Sequence, residues 1–146
     1  MRLVNKDLES TEPLSVSLAG QPNTGKSTLF NRLTGSQQHV GNWLGKTVEQ
    51  KTGKFSHKGR TFTLIDLPGT YSLSTNSADE LIIRNHIVSE KNDVLVVMID
   101  VSQMERSMYL LAEIIGIDIP IVVACSMVDI DGDQDKKINL KKIEKR

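Results

Sequence analysis

Little in this 146-residue chain is in excess, and each scarcity excludes something. A single cysteine, Cys125, rules out a disulfide within the chain. Its apolar neighbours predict a buried core thiol in a protein made for a reducing compartment. Eighteen basic residues are matched by eighteen acidic ones, so the charge balance makes no case for nucleic acid or an anionic membrane surface. No apolar run approaches the ~18 residues of a membrane span, and no signal-peptide core is present. The three histidines, His39, His57 and His86, lack metal-ligand spacing and read as surface residues. Internal repeats and low-complexity tracts are absent. What remains, 38% hydrophobic and 25% charged, predicts one soluble globular domain with a real core.

What is present begins with Gly20-Gln21-Pro22-Asn23-Thr24-Gly25-Lys26-Ser27-Thr28. It fits G-x-x-x-x-G-K-[ST] without a mismatch. Glycines let the backbone wrap an anion, successive amides point inward, and the helix starting near Lys26 adds its positive end. In such a loop Lys26 reaches the β- and γ-phosphates and the Ser27 hydroxyl helps hold Mg²⁺. The alternating Leu14–Ala19 before it reads as a strand, and Leu29, Phe30 and Leu33 after it as a helix stopped by Thr34-Gly35.

The other elements follow in order. Residues 1–13 are polar, end in a proline and read as a mobile leader. Ser36–Lys46 has no periodicity and reads as a mobile functional loop. Thr47–Phe55 and Arg60–Leu67 read as a hairpin turning at Ser56–Gly59. Residues 70–78 read as a second mobile loop. A helix is expected over Asp79–Ser89 with Leu81, Ile82 and Ile87 inward, then a doubly buried strand over Asp93–Asp100. Another helix spans Ser102–Gly116, with Met104, Met108, Leu111 and Ile115 as its core stripe. A second buried strand covers Ile119–Ser126, and Lys136–Arg146 opens an amphipathic helix. Asp129–Asp135 resembles a Ca²⁺ loop but has its glycine at the fourth place and no glutamate at the twelfth, so it reads as a solvated acidic loop. The alternation means an α/β sandwich with a ligand at the carboxyl ends of the strands.

Two further motifs narrow the ligand. Asp66-Leu67-Pro68-Gly69 ends a strand, where a carboxylate can hold Mg²⁺ through water and the Gly69 amide can sense a γ-phosphate. Thr47 is a second Mg²⁺ candidate lying between the two loops. Ser126-Met127-Val128-Asp129 follows the last strand, where GTPases read N-[KM]-x-D. Asp129 is placed to take guanine, while Ser126 replaces the asparagine that ties the base to the phosphate loop.

The chain resembles the cytosolic G domain of the FeoB family of bacterial ferrous-iron transporters. The resemblance rests on Gly20–Gly35, on V-G-N-W-L-G-K-T-V-E (Val40–Glu49), on D-L-P-G-T-Y-S-L (Asp66–Leu73) and on D-V-S-Q-M-E-R-S-M-Y-L (Asp100–Leu110). It covers nearly everything after residue 13. It implies a P-loop GTPase, a Ras-like G domain with a mostly parallel sheet and helices on both faces. It implies that GTP or GDP is held by Gly20–Thr28, by Gly45, Lys46, Thr47, Val48 and Glu49, by Asp66–Gly69 and by Ser126–Asp129. Mg²⁺ would be held by Ser27, Thr47 and Asp66, with Lys26, Thr47 and Gly69 serving hydrolysis. K⁺ would sit at Asn23 under the loop of Asn42-Trp43, supplying the positive charge that an arginine finger supplies elsewhere. Thr70 stands where many GTPases carry a water-orienting glutamine, which implies slow turnover. A complete domain would continue with a further strand, a loop touching guanine O6 and a final helix. The expectation is therefore an incomplete domain with Ile119–Ser126 as an apolar edge, a piece of a transporter working on the cytoplasmic side of the bacterial plasma membrane. The membrane permease region of that parent is its implied partner. Three rival readings remain: a degenerate guanine-nucleotide-binding fragment without turnover, a GTPase of the ribosome- or tRNA-modifying type, and a small-molecule kinase. The G-N-W-L-G segment argues against the second, and the lack of an arginine-rich lid against the third.

Overall fold

Alternation at Leu14–Ala19 produces strand β1 (Leu14–Gly20), which lies between two parallel neighbours inside a six-stranded sheet. The computed structural model describes residues 12–74, 77–89 and 92–127. After β1 come α1 (Lys26–Thr34), β2 (Gln38–Asn42), β3 (Glu49–His57), β4 (Arg60–Asp66) and α2 (Ala78–Val88). They are followed by β5 (Val94–Asp100), a 3-10 turn (Val101–Gln103), α3 (Met104–Ile115) and β6 (Ile121–Ser126). The strand order is β2-β3-β4-β1-β5-β6. Pairs β1–β4, β1–β5 and β5–β6 are parallel, whereas β2–β3 and β3–β4 are antiparallel.

Each face of the sheet has its own core. Val16, Leu18 and Leu64 pack with Phe30 of α1 on one side. On the other, Ala19, Ile65, Leu95, Val97 and Ile99 meet Ile83 and Ile87 of α2 and Leu110, Leu111 and Ile114 of α3. Helix α2 is started by a capping box in which Ser77 Oγ accepts from the Glu80 amide and the Glu80 carboxylate accepts from the Ser77 amide. The α/β architecture with helices on both faces is therefore the one the sequence predicts.

Several local expectations differ. Within the stretch read as a loop over Ser36–Lys46, Gln38–Asn42 is a strand, because its backbone finds partners along β3 from Gly53 to Glu49. The β3–β4 turn is two residues, Lys58-Gly59, both with positive φ (49° and 77°), so β3 runs two residues further, to His57, than expected, while β4 starts at Arg60 as expected. In α2 the buried residues are Ile82, Ile83 and Ile87, while Leu81 is 39% exposed. In α3 they are Ser107, Leu110, Leu111 and Ile114, so Met108 and Ile115 face outward. The stripe is displaced because Ser107 Oγ is drawn in to accept from the Asp100 amide at 3.2 Å. Strand β6 has one described neighbour and Val122 is 49% exposed, so it is not buried on both faces, and Cys125 is only partly buried. His86 is no simple surface residue: its Nε2 lies 2.9 Å from the fully buried Ser17 Oγ, which also bonds Asn92 Oδ1. Residues 1–11, the acidic loop at 129–135 and the amphipathic stretch at 136–146 lie outside the described residues.

Candidate functional site

Parallel strands β1, β4 and β5 bring their carboxyl ends to one edge of the sheet, the place where open α/β sheets bind ligands. Strand β1 ends at Gly20, and α1 starts at Lys26. Between them Asn23 (φ 63°) and Gly25 (φ 90°) take left-handed conformations, which fold the loop into an anion-binding concavity of backbone amides. Thr24 Oγ1 donates to Gln21 O at 2.9 Å and Lys26 Nζ to the same carbonyl at 3.3 Å, so the loop is tied from inside. Lys26 is buried, and desolvation holds its amine below the usual lysine range against the opposing charge of Asp66.

Asp66 closes β4 beside it. Burial pushes this carboxyl above the usual range, and the positive charges of Lys26 and Lys51 oppose the shift. Asp66 Oδ1 is buried and has no hydrogen-bond partner among the described residues. Both groups line a cavity of about 170 Å³ with Ser27, Glu49, Lys51 and Gly69. An orphaned carboxylate oxygen next to a serine hydroxyl is a hard oxygen donor set that fits Mg²⁺. A larger hollow of about 390 Å³, beside Ser36–His39 and Thr52–Lys54, holds no comparable charge pair.

The loop after β4 rests on the phosphate loop. A Cβ on Gly69 would lie 2.9 Å from Pro22 Cα, so only glycine allows this approach. The Thr70 amide donates to Gly20 O at 3.1 Å, and its hydroxyl turns to Ser72 O at 2.7 Å. The Leu73 amide donates to Glu113 Oε2 of α3 at 2.8 Å. This first part of the expected mobile loop is thus clamped at both ends.

Other predicted residues are not brought to the cavity. Gly45, Lys46 and Thr47 are exposed on the loop joining β2 to β3, closed by Trp43 N–H to Val48 O (3.0 Å) and Lys46 N–H to Trp43 O (2.8 Å). The Trp43 ring packs on the α2–α3 core and meets the His86 ring edge-on, with centroids 5.0 Å apart. Of the segment Gly45–Glu49, only Glu49 reaches the cavity. Asn23 is exposed on the phosphate loop. Ser126 Oγ donates to Ile99 O at 3.2 Å, so its hydroxyl is engaged by β5. Met127 takes φ 60°, and Val128 and Asp129 lie outside the described residues.

Sequence reasoning missed Lys51 and Glu113. Lys51 was within reach of a register argument: the two-residue turn pairs His57 with Arg60, and counting back along both strands pairs Lys51 with Asp66. A four-residue turn shifts that count and hides the pair. Glu113 carries no such signal, since its partner is a backbone amide forty residues away.

Comparison with known proteins adds kinship to this geometry. A family model described as ferrous iron transport protein B matches residues 14–146. The Fe(2+) transporter FeoB of Escherichia coli (strain K12) is 46% identical over 137 residues, covering 91% of this chain but 18% of that relative. The crystal structure of the G domain of the T. maritima FeoB iron transporter superposes with a TM-score of 0.83 at 43% identity, over 92% of this chain and 82% of that one. The cytosolic domain of the same transporter in a GDP form gives 0.86 at 42% identity, over 92% and 52%. The chain thus spans about a fifth of the length of the curated relatives it matches. Family match, sequence identity and sheet topology agree: this chain belongs to the ferrous iron transport protein B (FeoB) family and has the fold of its P-loop G domain.

Proposed function

We propose that this chain binds GTP and hydrolyses it to GDP and phosphate, acting as the cytosolic switch domain of a ferrous-iron transport protein. The observation that carries the reading is the pairing of buried Lys26, on an amide-lined loop, with the orphaned Asp66 carboxylate across one cavity. Kinship with a cytosolic domain solved in a GDP form selects guanine among the nucleotides. In this reading the loop amides and Lys26 bind the phosphates, and Ser27 and Asp66 hold Mg²⁺. Mg²⁺, when bound, neutralises charge on the phosphate oxygens. Gly69, pressed against Pro22, offers its amide near the terminal phosphate. Thr47 joins the site only when the 43–48 loop leaves its place beside α2. Asn23 contributes to a K⁺ site, and the membrane permease region is the parent's partner.

Ser126 favours a second reading, a guanine-nucleotide-binding piece without turnover, because its hydroxyl is engaged by Ile99 O. Single-turnover hydrolysis in K⁺ and in Na⁺ separates the two. Phosphate release faster in K⁺ supports the switch, and nucleotide binding with no release in either salt supports the second reading. Asn23→Ala is expected to erase the difference between the salts and leave nucleotide binding within about twofold. K⁺ stimulation that survives the substitution would remove Asn23 from the monovalent site.

A further inference from the structure

Four charged side chains meet at the candidate site, and only three were expected there. Lys26 and Asp66 face one another, and Glu49 lines the same cavity. The fourth is Lys51. Its Cα is the direct partner of Asp66 in the antiparallel β3–β4 pair, and directly opposed residues project to the same face of a sheet. Glu49 is two residues earlier on β3 and so shares that face. Lys51 Nζ stands 3.2 Å from Glu49 Oε1. The two lysines and two carboxylates balance, while Asp66 Oδ1 keeps an unused acceptor.

Resting on the nucleotide reading above, we propose that Lys51 is a positioning residue of the site, a built-in cation that competes with Mg²⁺ for Asp66. Held on Glu49, its ammonium lies on the same face as Asp66 and offsets part of that carboxylate's charge. Mg²⁺ at Asp66 would meet that positive charge at close range, and the flexible four-carbon stem lets the ammonium reach either carboxylate. Lys51 therefore supports nucleotide binding without metal and limits how much the metal improves it. The coupling is reciprocal, so it can be read from nucleotide affinity alone.

The test measures GDP dissociation constants of the full chain with EDTA and with saturating Mg²⁺, and takes their ratio. Lys51→Gln is expected to raise that ratio about three- to tenfold, as loss of one charge a few ångströms from a divalent ion predicts. Lys51→Arg is expected to keep it within twofold. Glu49→Gln, which leaves Lys51 no partner but Asp66, is expected to lower it. A purely structural role would shift both constants together and leave the ratio alone, and that outcome overturns the proposal. So does a ratio that falls in Lys51→Gln. If the unaltered chain takes up no GDP in either buffer, the nucleotide reading fails and the Lys51 assignment falls with it. If it binds GDP with a Mg²⁺-dependent affinity that Lys51→Gln does not change, only the Lys51 assignment fails.

Discussion

Lys26 and Asp66 are held in a setting that suits a ligand better than it suits the empty fold. Each is pushed toward its neutral form by burial, and each resists through the charge of the other. Charge-assisted bonds to phosphate contribute about 1.5–3 kcal/mol each, so Lys26→Ala is expected to weaken GDP binding about a hundredfold in a fluorescent-nucleotide titration. Unchanged affinity would move the site elsewhere. The empty chain also carries a pH signature. Asp66 has a raised folded pKa, so the folded state holds its proton longer than the unfolded state does. Its contribution to stability is therefore greatest in acid and is lost as pH rises through the carboxylate range. Lys26 has a lowered folded pKa, so its burial cost is present at neutral pH and is relieved only on approach to the lysine range. Urea denaturation without metal is expected to find Asp66→Asn more stable than the parent at pH 7. The gap should narrow toward pH 3, and a gap that widens in acid would contradict the burial argument.

At the scale of elements, the loop between β2 and β3 is the part whose place is least settled by its own sequence. It is closed by two backbone hydrogen bonds and anchored by one ring, Trp43 against His86. That anchor keeps Thr47 exposed and out of the cavity. Trp43 is the only tryptophan, so its emission reports on this loop alone. Emission is expected to stay near that of the empty chain with GDP and to shift when a non-hydrolysable GTP analogue and Mg²⁺ draw Thr47 inward. No shift with the bound analogue would remove Thr47 from the hydrolytic group. His86→Gln keeps a donor for Ser17 Oγ but takes away the ring, and is expected to red-shift Trp43 in the empty chain. The loop after Asp66 behaves differently. Gly69 against Pro22, Thr70 on Gly20 O and Leu73 on Glu113 tie it to the phosphate loop and to α3.

At the scale of the whole molecule, the sheet has a rigid centre and a lightly held margin. Val97, Leu95 and Ile99 are fully buried and β1 has partners on both sides, whereas β2 is an edge strand of five mostly exposed residues. Native-state hydrogen exchange is expected to leave β1 and β5 amides protected up to the global unfolding free energy, with β2 exchanging orders of magnitude faster. Equal protection in β2 and β5 would mean that the edge is held by more than its pairing with β3. Among the described residues no helix is long and apolar enough to cross a membrane.

The phosphate loop, the Asp66–Gly69 loop and the strand–helix alternation were legible because each is written in adjacent residues. A loop's glycines and a strand's alternation depend on local sterics alone, which the chain order specifies by itself. Lys26 and Asp66 were named on that basis, and both line the cavity. What the sequence left undecided depends on contacts between distant segments. The place of Thr47 turns on whether Trp43 packs on His86, and the neighbour of Asp66 turns on one two-residue turn that sets the register of β3. The outward turn of Met108 and Ile115 follows from a hydroxyl, Ser107, that reaches the end of another strand. Local sterics chose the fold and the phosphate cradle. Tertiary packing decided which charges face the cradle, because side chains far apart in sequence become neighbours only when the sheet has closed.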